Sequence, residues 1–164
     1  MNSRRCRSSL NSAGGAVRRL LVCFIVFSFL FICSENASAG SSAVPPMLKP
    51  CPSTPNCVSS YAQSSRHKIQ PLKMHQSAEE TMLTLKAVIA AYPRTRIIAE
   101  AGNYIHATFR VNIGFTDDVE FLADEAAGVV HVRSASRIGY WDFGANRKRI
   151  EKVRKRYKEH IGAQ

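Results

Sequence analysis

Between Val132 and Glu151 the chain reads Val-Arg-Ser-Ala-Ser-Arg-Ile-Gly-Tyr-Trp-Asp-Phe-Gly-Ala-Asn-Arg-Lys-Arg-Ile-Glu, the densest set of ligand-recognising side chains in the sequence. Arg133 and Arg137 bring guanidinium forks and Ser134 and Ser136 bring hydroxyls. Asn146 and Arg147 stand where a helical pattern begins, and the free N–H groups of a helix start favour negative charge. Those six residues form a candidate anion site. A scaffold reading competes with it: the serines bond loop backbone, Asp142 caps the helix, and Trp141 with Phe143 enters the core.

A second chemistry needs a general base. His106 or His131, oriented by Glu120, supplies the elements of a water-activating hydrolase, although no spacing selects a nucleophile beside them. There is no Walker loop, His-Glu-x-x-His, Gly-x-Ser-x-Gly or Cys-x-x-Cys-His. Asp142-Phe143-Gly144 matches a kinase triplet in letters only, without a Gly-rich phosphate loop or a His-Arg-Asp segment. No metal-ligand spacing stands out and no cofactor motif is present, so neither metal nor cofactor is expected.

The elements that must position these groups begin after a leader. Arg4, Arg5, Arg7, Arg18 and Arg19 precede an apolar run from Leu20 to Cys33, broken only by Ser28, and then Ala37-Ser38-Ala39. These are the three parts of a secretory signal peptide, cleaved after Ala39. As a helix the run is about 21 Å long, short of the roughly 30 Å hydrocarbon core, so no stable membrane span is expected in the mature protein. Cys33 follows Ile32, which is too bulky for a lipoprotein site. The expected destination is the periplasm or the extracellular space.

The whole chain of 164 residues carries a net charge of +11, whereas residues 40–164, with 18 basic and 11 acidic side chains, carry +7. Eight basic residues and two acids fall between Arg147 and His160, so the positive charge belongs mainly to one terminal element. Export argues against nucleic acid as the partner, and leaves an anionic small molecule or an envelope component. Only Cys51 and Cys57 lie beyond the leader, and an even pair in an exported chain reads as a disulfide. A metal site or redox pair is the alternative, without Cys-x-x-Cys or a neighbouring His-x-x-His to favour it.

Residues 40–50 are small, polar and proline-bearing, an exposed lead-in to a single domain over 51–164. Ser77-Ala78-Glu79-Glu80 is a capping box opening a helix from Ala78 to Tyr92, which Pro93 stops. The period then changes to two. Ile97, Ala99 and Ala101 alternate before Gly102-Asn103, and Ile105, Ala107, Phe109 and Val111 alternate after it. Val119, Phe121 and Ala123 share a face of a third strand, and Val130 and Val132 of a fourth. Setting Val119 opposite Val132 places Asp118 by Arg133 and Glu120 by His131 on the polar face, with Glu100, His106, Thr108 and Arg110. Ile150, Val153, Tyr157 and Ile161 make the stripe of a final helix. The fold class is α+β: a four-stranded antiparallel meander with two helices packed on one face.

Three stretches carry a family resemblance: Cys51-Pro-Ser-Thr-Pro-Asn-Cys-Val-Ser-Ser60, Asp117-Asp-Val-Glu-Phe121, and His131-Val-Arg-Ser-Ala-Ser-Arg-x-Gly139 continuing through Asp142-x-Gly144-x-Asn146-Arg147-x-Arg149-Ile150-Glu151. From about Pro50 to Tyr157 the chain resembles the domain of unknown function 1499 family, found in small exported or membrane-associated bacterial proteins and some plastid proteins. That resemblance implies a domain extent and supplies no catalytic residue.

The sequence thus points to a small exported, disulfide-stapled binding domain that recognises an anionic group at the strand-to-helix loop, with an envelope hydrolase as the rival. The purified exported protein is expected to begin at Gly40. Intact mass and N-terminal sequencing check this, and a retained leader overturns it.

Overall fold

Ser77 does what the capping box asks of it: its hydroxyl accepts the Glu80 N–H at 3.2 Å, and two acids occupy the first turn. The helix it opens, α1, spans Ala78–Ala90 and buries Thr81, Met82, Leu85, Val88 and Ile89. These features come from a computed structural model that describes residues 47–111 and 114–163. The expected leader and cleavage site lie outside the described residues. The described residues form one compact unit.

The terminal helix, α2, covers Ala145–Gly162, with Ile150, Val153 and Tyr157 buried and Ile161 at the core margin. Much of its basic face works inside the fold. Arg147 donates to the carbonyls of Lys68 and Arg66 at 2.8 and 3.0 Å, and Arg154, two turns on, donates to those of Pro71 and Gln70. Arg156 lies 4.0 Å from the centroid of the Tyr92 ring. Lys148, Lys152, Lys155 and Lys158 are exposed.

The expected meander is present as β3 (Thr95–Ala101), β4 (Tyr104–Arg110), β5 (Thr116–Asp124) and β6 (Val129–Ser136), all antiparallel. The sheet has six strands, however, not four. Two short segments, β1 (Cys57–Ser59) and β2 (Leu72–Lys73), pair antiparallel with the far side of β6. Strands of three and two residues are too short to show a period, and their pairing partner lies more than fifty residues away. Both helices contact the sheet, α1 over β3, β4 and β5 and α2 over β6 and β1.

Two registers differ from expectation. Phe121 faces Val132 and Val119 faces Ser134, two residues away from the Val119–Val132 pairing. A shift of two keeps every side chain on its own face, so apolar alternation alone does not distinguish the two. The turn decides: Asp124 pairs with Val129, its carboxylate accepts the Ala127 N–H, and Gly128 takes φ +64°. Asp118 therefore does not face Arg133, nor Glu120 His131; Glu120 faces Arg133. The second difference is a bulge in β3 between Ile97 and Ala99, which turns Ile98 outward and breaks the expected Ile97, Ala99, Ala101 face. Glu100 then reaches Lys86 of α1 at 3.3 Å and is absent from the polar face.

Phe121, Val119, Val130, Val132 and Ile105 of the sheet meet Leu85 and Ile89 of α1 and Ile150 and Val153 of α2 in the main core. A smaller cluster on the other sheet face joins Tyr104 and Leu122 to Leu48, only 3 % exposed, so at Leu48 the lead-in is packed. Cys51 and Cys57 form a disulfide, and among the described residues no His, Cys, Asp or Glu cluster suited to a metal includes them. Replacing both cysteines by serine should lower the unfolding free energy by about 2 kcal/mol, read as a shifted urea midpoint. An unchanged midpoint means that the staple adds nothing to this fold.

Candidate functional site

Of the six anion-site candidates, five are held by protein partners in ways that position the scaffold. Arg133 binds the Glu120 carboxylate at 2.9 Å, with both side chains largely buried. Arg137 holds both oxygens of Asp118, at 2.8 and 2.9 Å. Ser134 donates to Asn146 Oδ1 at 2.6 Å, and Ser136 accepts from Asn146 Nδ2 at 3.0 Å. Asn146 is fully buried; its Nδ2 also reaches the Asn56 carbonyl and Asp142, and its Oδ1 also accepts from Arg149 at 2.8 Å. Arg149 completes the cluster by pairing with buried Asp117.

Asp142 fills the place at the α2 N-terminus where an external anion was expected. Its carboxylate accepts the N–H groups of Gly144 and Asn146, both at 2.9 Å. Burial alone pushes the Asp142 pKa up, but these hydrogen bonds and that of the Asn146 side chain outweigh it and hold the carboxyl below its ordinary value. The helix start is thus satisfied from within.

Arg147 is different. It gives its guanidinium to two neutral carbonyls, and among the described residues no carboxylate pairs with it or with Arg66. Both line a cleft of about 370 Å³ at the strand-to-helix end, walled by Pro55, Val58, Trp141 and Gly144. Arg66 and Trp141 are the members that sequence reasoning missed. Arg66 is one arginine in a polar loop with no motif around it, and Trp141 was expected in the core. The structure corrects the latter: Trp141 and Phe143 are exposed, as are Ile138 and Tyr140.

Of the hydrolase residues, His106 faces Glu120 across β4 and β5, and His131 lies outside their cleft. His106 Nε2 sits 2.9 Å from Asp118, on a polar sheet-face cleft of about 260 Å³ shared with Lys49, Tyr104, Glu120 and Arg133. Glu120 is held by the Tyr104 hydroxyl and Arg133, and makes no hydrogen bond to either histidine. Burial first, and then the bond to Glu120, push the Tyr104 phenol far up. His131 stacks on Tyr61 and contacts Ser60 and Asp124, away from that cleft. Among the described residues no three His, Cys, Asp or Glu side chains converge as metal ligands, and no helix is long and apolar enough to cross a membrane.

Two carboxylates should govern acid stability. Asp118 is held below its ordinary value, chiefly by Arg137 and further by His106, and Asp142 is depressed as described. A depressed folded-state pKa stabilises fully above the unfolded value near 3.9 and is lost as pH falls through the folded value. The thermal midpoint should therefore be insensitive to these groups from about pH 7 to 5 and decline below about pH 4, and Asp142→Asn should flatten the decline. A variant that loses stability in acid as steeply as the wild type removes Asp142 from the account.

No curated protein and no solved structure matches the chain. A family model does, over residues 47–156, which takes in β1 through all but the last turns of α2 together with the disulfide and the Asn146 cluster. That span is more than half of the chain, and the protein belongs to the family described as protein of unknown function (DUF1499).

Proposed function

We propose that this is a small exported binding domain that holds an anionic group in the cleft between Arg66 and Arg147. One observation carries the reading: two guanidinium groups line one cleft with no acid paired to either, beside a carboxylate, Asp142, whose oxygens are occupied by Gly144 and Asn146. Arg133, Arg137, Arg149 and Arg154, by contrast, are matched to acids. Two guanidinium groups against one carboxylate leave a net positive charge at a concave surface, which attracts anions, and planar guanidinium forks suit phosphate or carboxylate. Trp141 adds an aromatic wall. Export, with release into the periplasm or beyond after cleavage following Ala39, is part of the proposal and draws on the leader and on the disulfide. The hydrolase reading has less support, because Glu120 orients neither histidine.

Titration of the protein with inorganic phosphate and with glycerol phosphate tests the cleft. Arg66→Gln is the cleaner variant, since Arg147 also ties down the 66–68 backbone. It should weaken binding roughly 10- to 100-fold without lowering the thermal midpoint, the effect of one lost charge-assisted hydrogen bond. If Arg66→Gln binds as the wild type does while Arg137→Ala does not bind, the anion sits at the Asp118–Arg137 pair and the cleft is scaffold.

A further inference from the structure

The loop from Ile138 to Phe143 presents four large apolar side chains that are 61–84 % exposed: Ile138, Tyr140, Trp141 and Phe143. Val111 and Phe115 are exposed at the same end of the sheet, where the Arg137 N–H bonds the Thr116 carbonyl. Six of the nine exposed large apolar residues among those described therefore share one end of the domain. Such concentration is unusual for a surface that meets only water.

Phe143 sharpens the point. It is the most exposed of the nine, and its φ of +51° lies in the left-handed region, where a bulky side chain is an outlier. Gly139 and Gly144, at φ +96° and +77°, bracket the same loop. A glycine at 143 would relieve the backbone and remove an aromatic ring from water. The folded domain carries both costs at one residue, and a contact outside the domain accounts for them.

Charge selects the occupant. Arg66 and Arg147 line the adjoining cleft, and Arg110 and Lys148 are exposed at the end of β4 and in the first turn of α2. The one acid between Arg137 and Arg149, Asp142, is turned to internal N–H groups. A second copy docked end to end would set two cationic rims against each other. Apolar and aromatic side chains ringed by cations match an anionic lipid surface, where Trp and Tyr settle at headgroup level and basic residues meet phosphates.

We infer that this end of the domain docks on an anionic bilayer, inserting Tyr140, Trp141 and Phe143 into the interface. The inference draws on the cleft for part of its charge, and goes beyond it in naming a membrane as the source of the anion.

Trp141 is the single tryptophan of the chain, so its emission reports the loop alone, whatever residues 1–46 do. The full chain is mixed with vesicles of phosphatidylglycerol or of phosphatidylcholine, each with and without brominated acyl chains. Phosphatidylglycerol should shift Trp141 emission to shorter wavelength and permit quenching by bromine; phosphatidylcholine should do neither. Phe143→Gly should reduce vesicle affinity roughly 10-fold, keep or raise the thermal midpoint, and leave glycerol phosphate binding unchanged. Arg66→Gln should weaken vesicle binding roughly fivefold. Glycerol phosphate binding with Trp141 unquenched by either vesicle overturns the docking and spares the cleft. Quenching that Phe143→Gly abolishes, without any binding of glycerol phosphate, overturns the cleft and supports the docking. Equal quenching in both lipids, a Phe143→Gly variant that binds as the wild type, or a lipid-free dimer dissolved by that substitution each overturn it.

Discussion

Asn146 enters the core from the first turn of α2, and its amide reaches five other residues. Through it the helix start is joined to the β1 lead-in at Asn56, to β6 at Ser134 and Ser136, and to its own cap at Asp142. Arg149, one turn later, adds Asp117 of β5. A buried amide without partners is costly, so the cluster tolerates only the arrangement in which all of these elements are docked together. The apolar stripe of α2 fixes that the helix lies on the sheet; the amide fixes where along the sheet it lies.

The three acids of Asp117-Asp118-Val119-Glu120 each receive an arginine from the C-terminal motif: Arg149, Arg137 and Arg133 respectively. Strand alternation sends Asp117 to the helix side and Asp118 with Glu120 to the open side, so one short run of β5 ties down both layers. These pairs are partly or wholly withdrawn from water, where breaking one leaves its partner uncompensated. Residues that look like a ligand site when read as donors are thereby bound to acceptors contributed by another strand.

This explains what the sequence could and could not reveal. Ser77, the 150–153–157–161 stripe and the strand alternations act within a few residues of themselves, and they were legible. That Asn146 and Arg147 stand at a helix start was legible as well, because the helical pattern and the loop before it are contiguous. Acceptors were not: Asp118 lies 19 residues from Arg137, and Asp117 lies 32 from Arg149. The two-residue register shift and the Ile98 bulge escaped for a related reason, since alternation specifies a face and leaves the position along the strand to turn geometry. Trp141 and Phe143 were misplaced because hydrophobicity alone suggests the core, whereas both are exposed.

The pairing of β1 has a consequence for the order in which the domain assembles. The Cys51–Cys57 loop closes locally, six residues apart, and can form in a largely unfolded chain. The strand that follows it makes one local bridge, Ser59 with Lys68, but its ladder is with β6, across more than seventy residues, and it packs beside α2. Hairpins β3–β4 and β5–β6 and the helix α1 can form from neighbouring residues, whereas closing so long a loop carries a larger entropic cost. The N-terminal strand of the domain thus waits for the C-terminal elements, and the chain reaches its native topology only after its last helix is available.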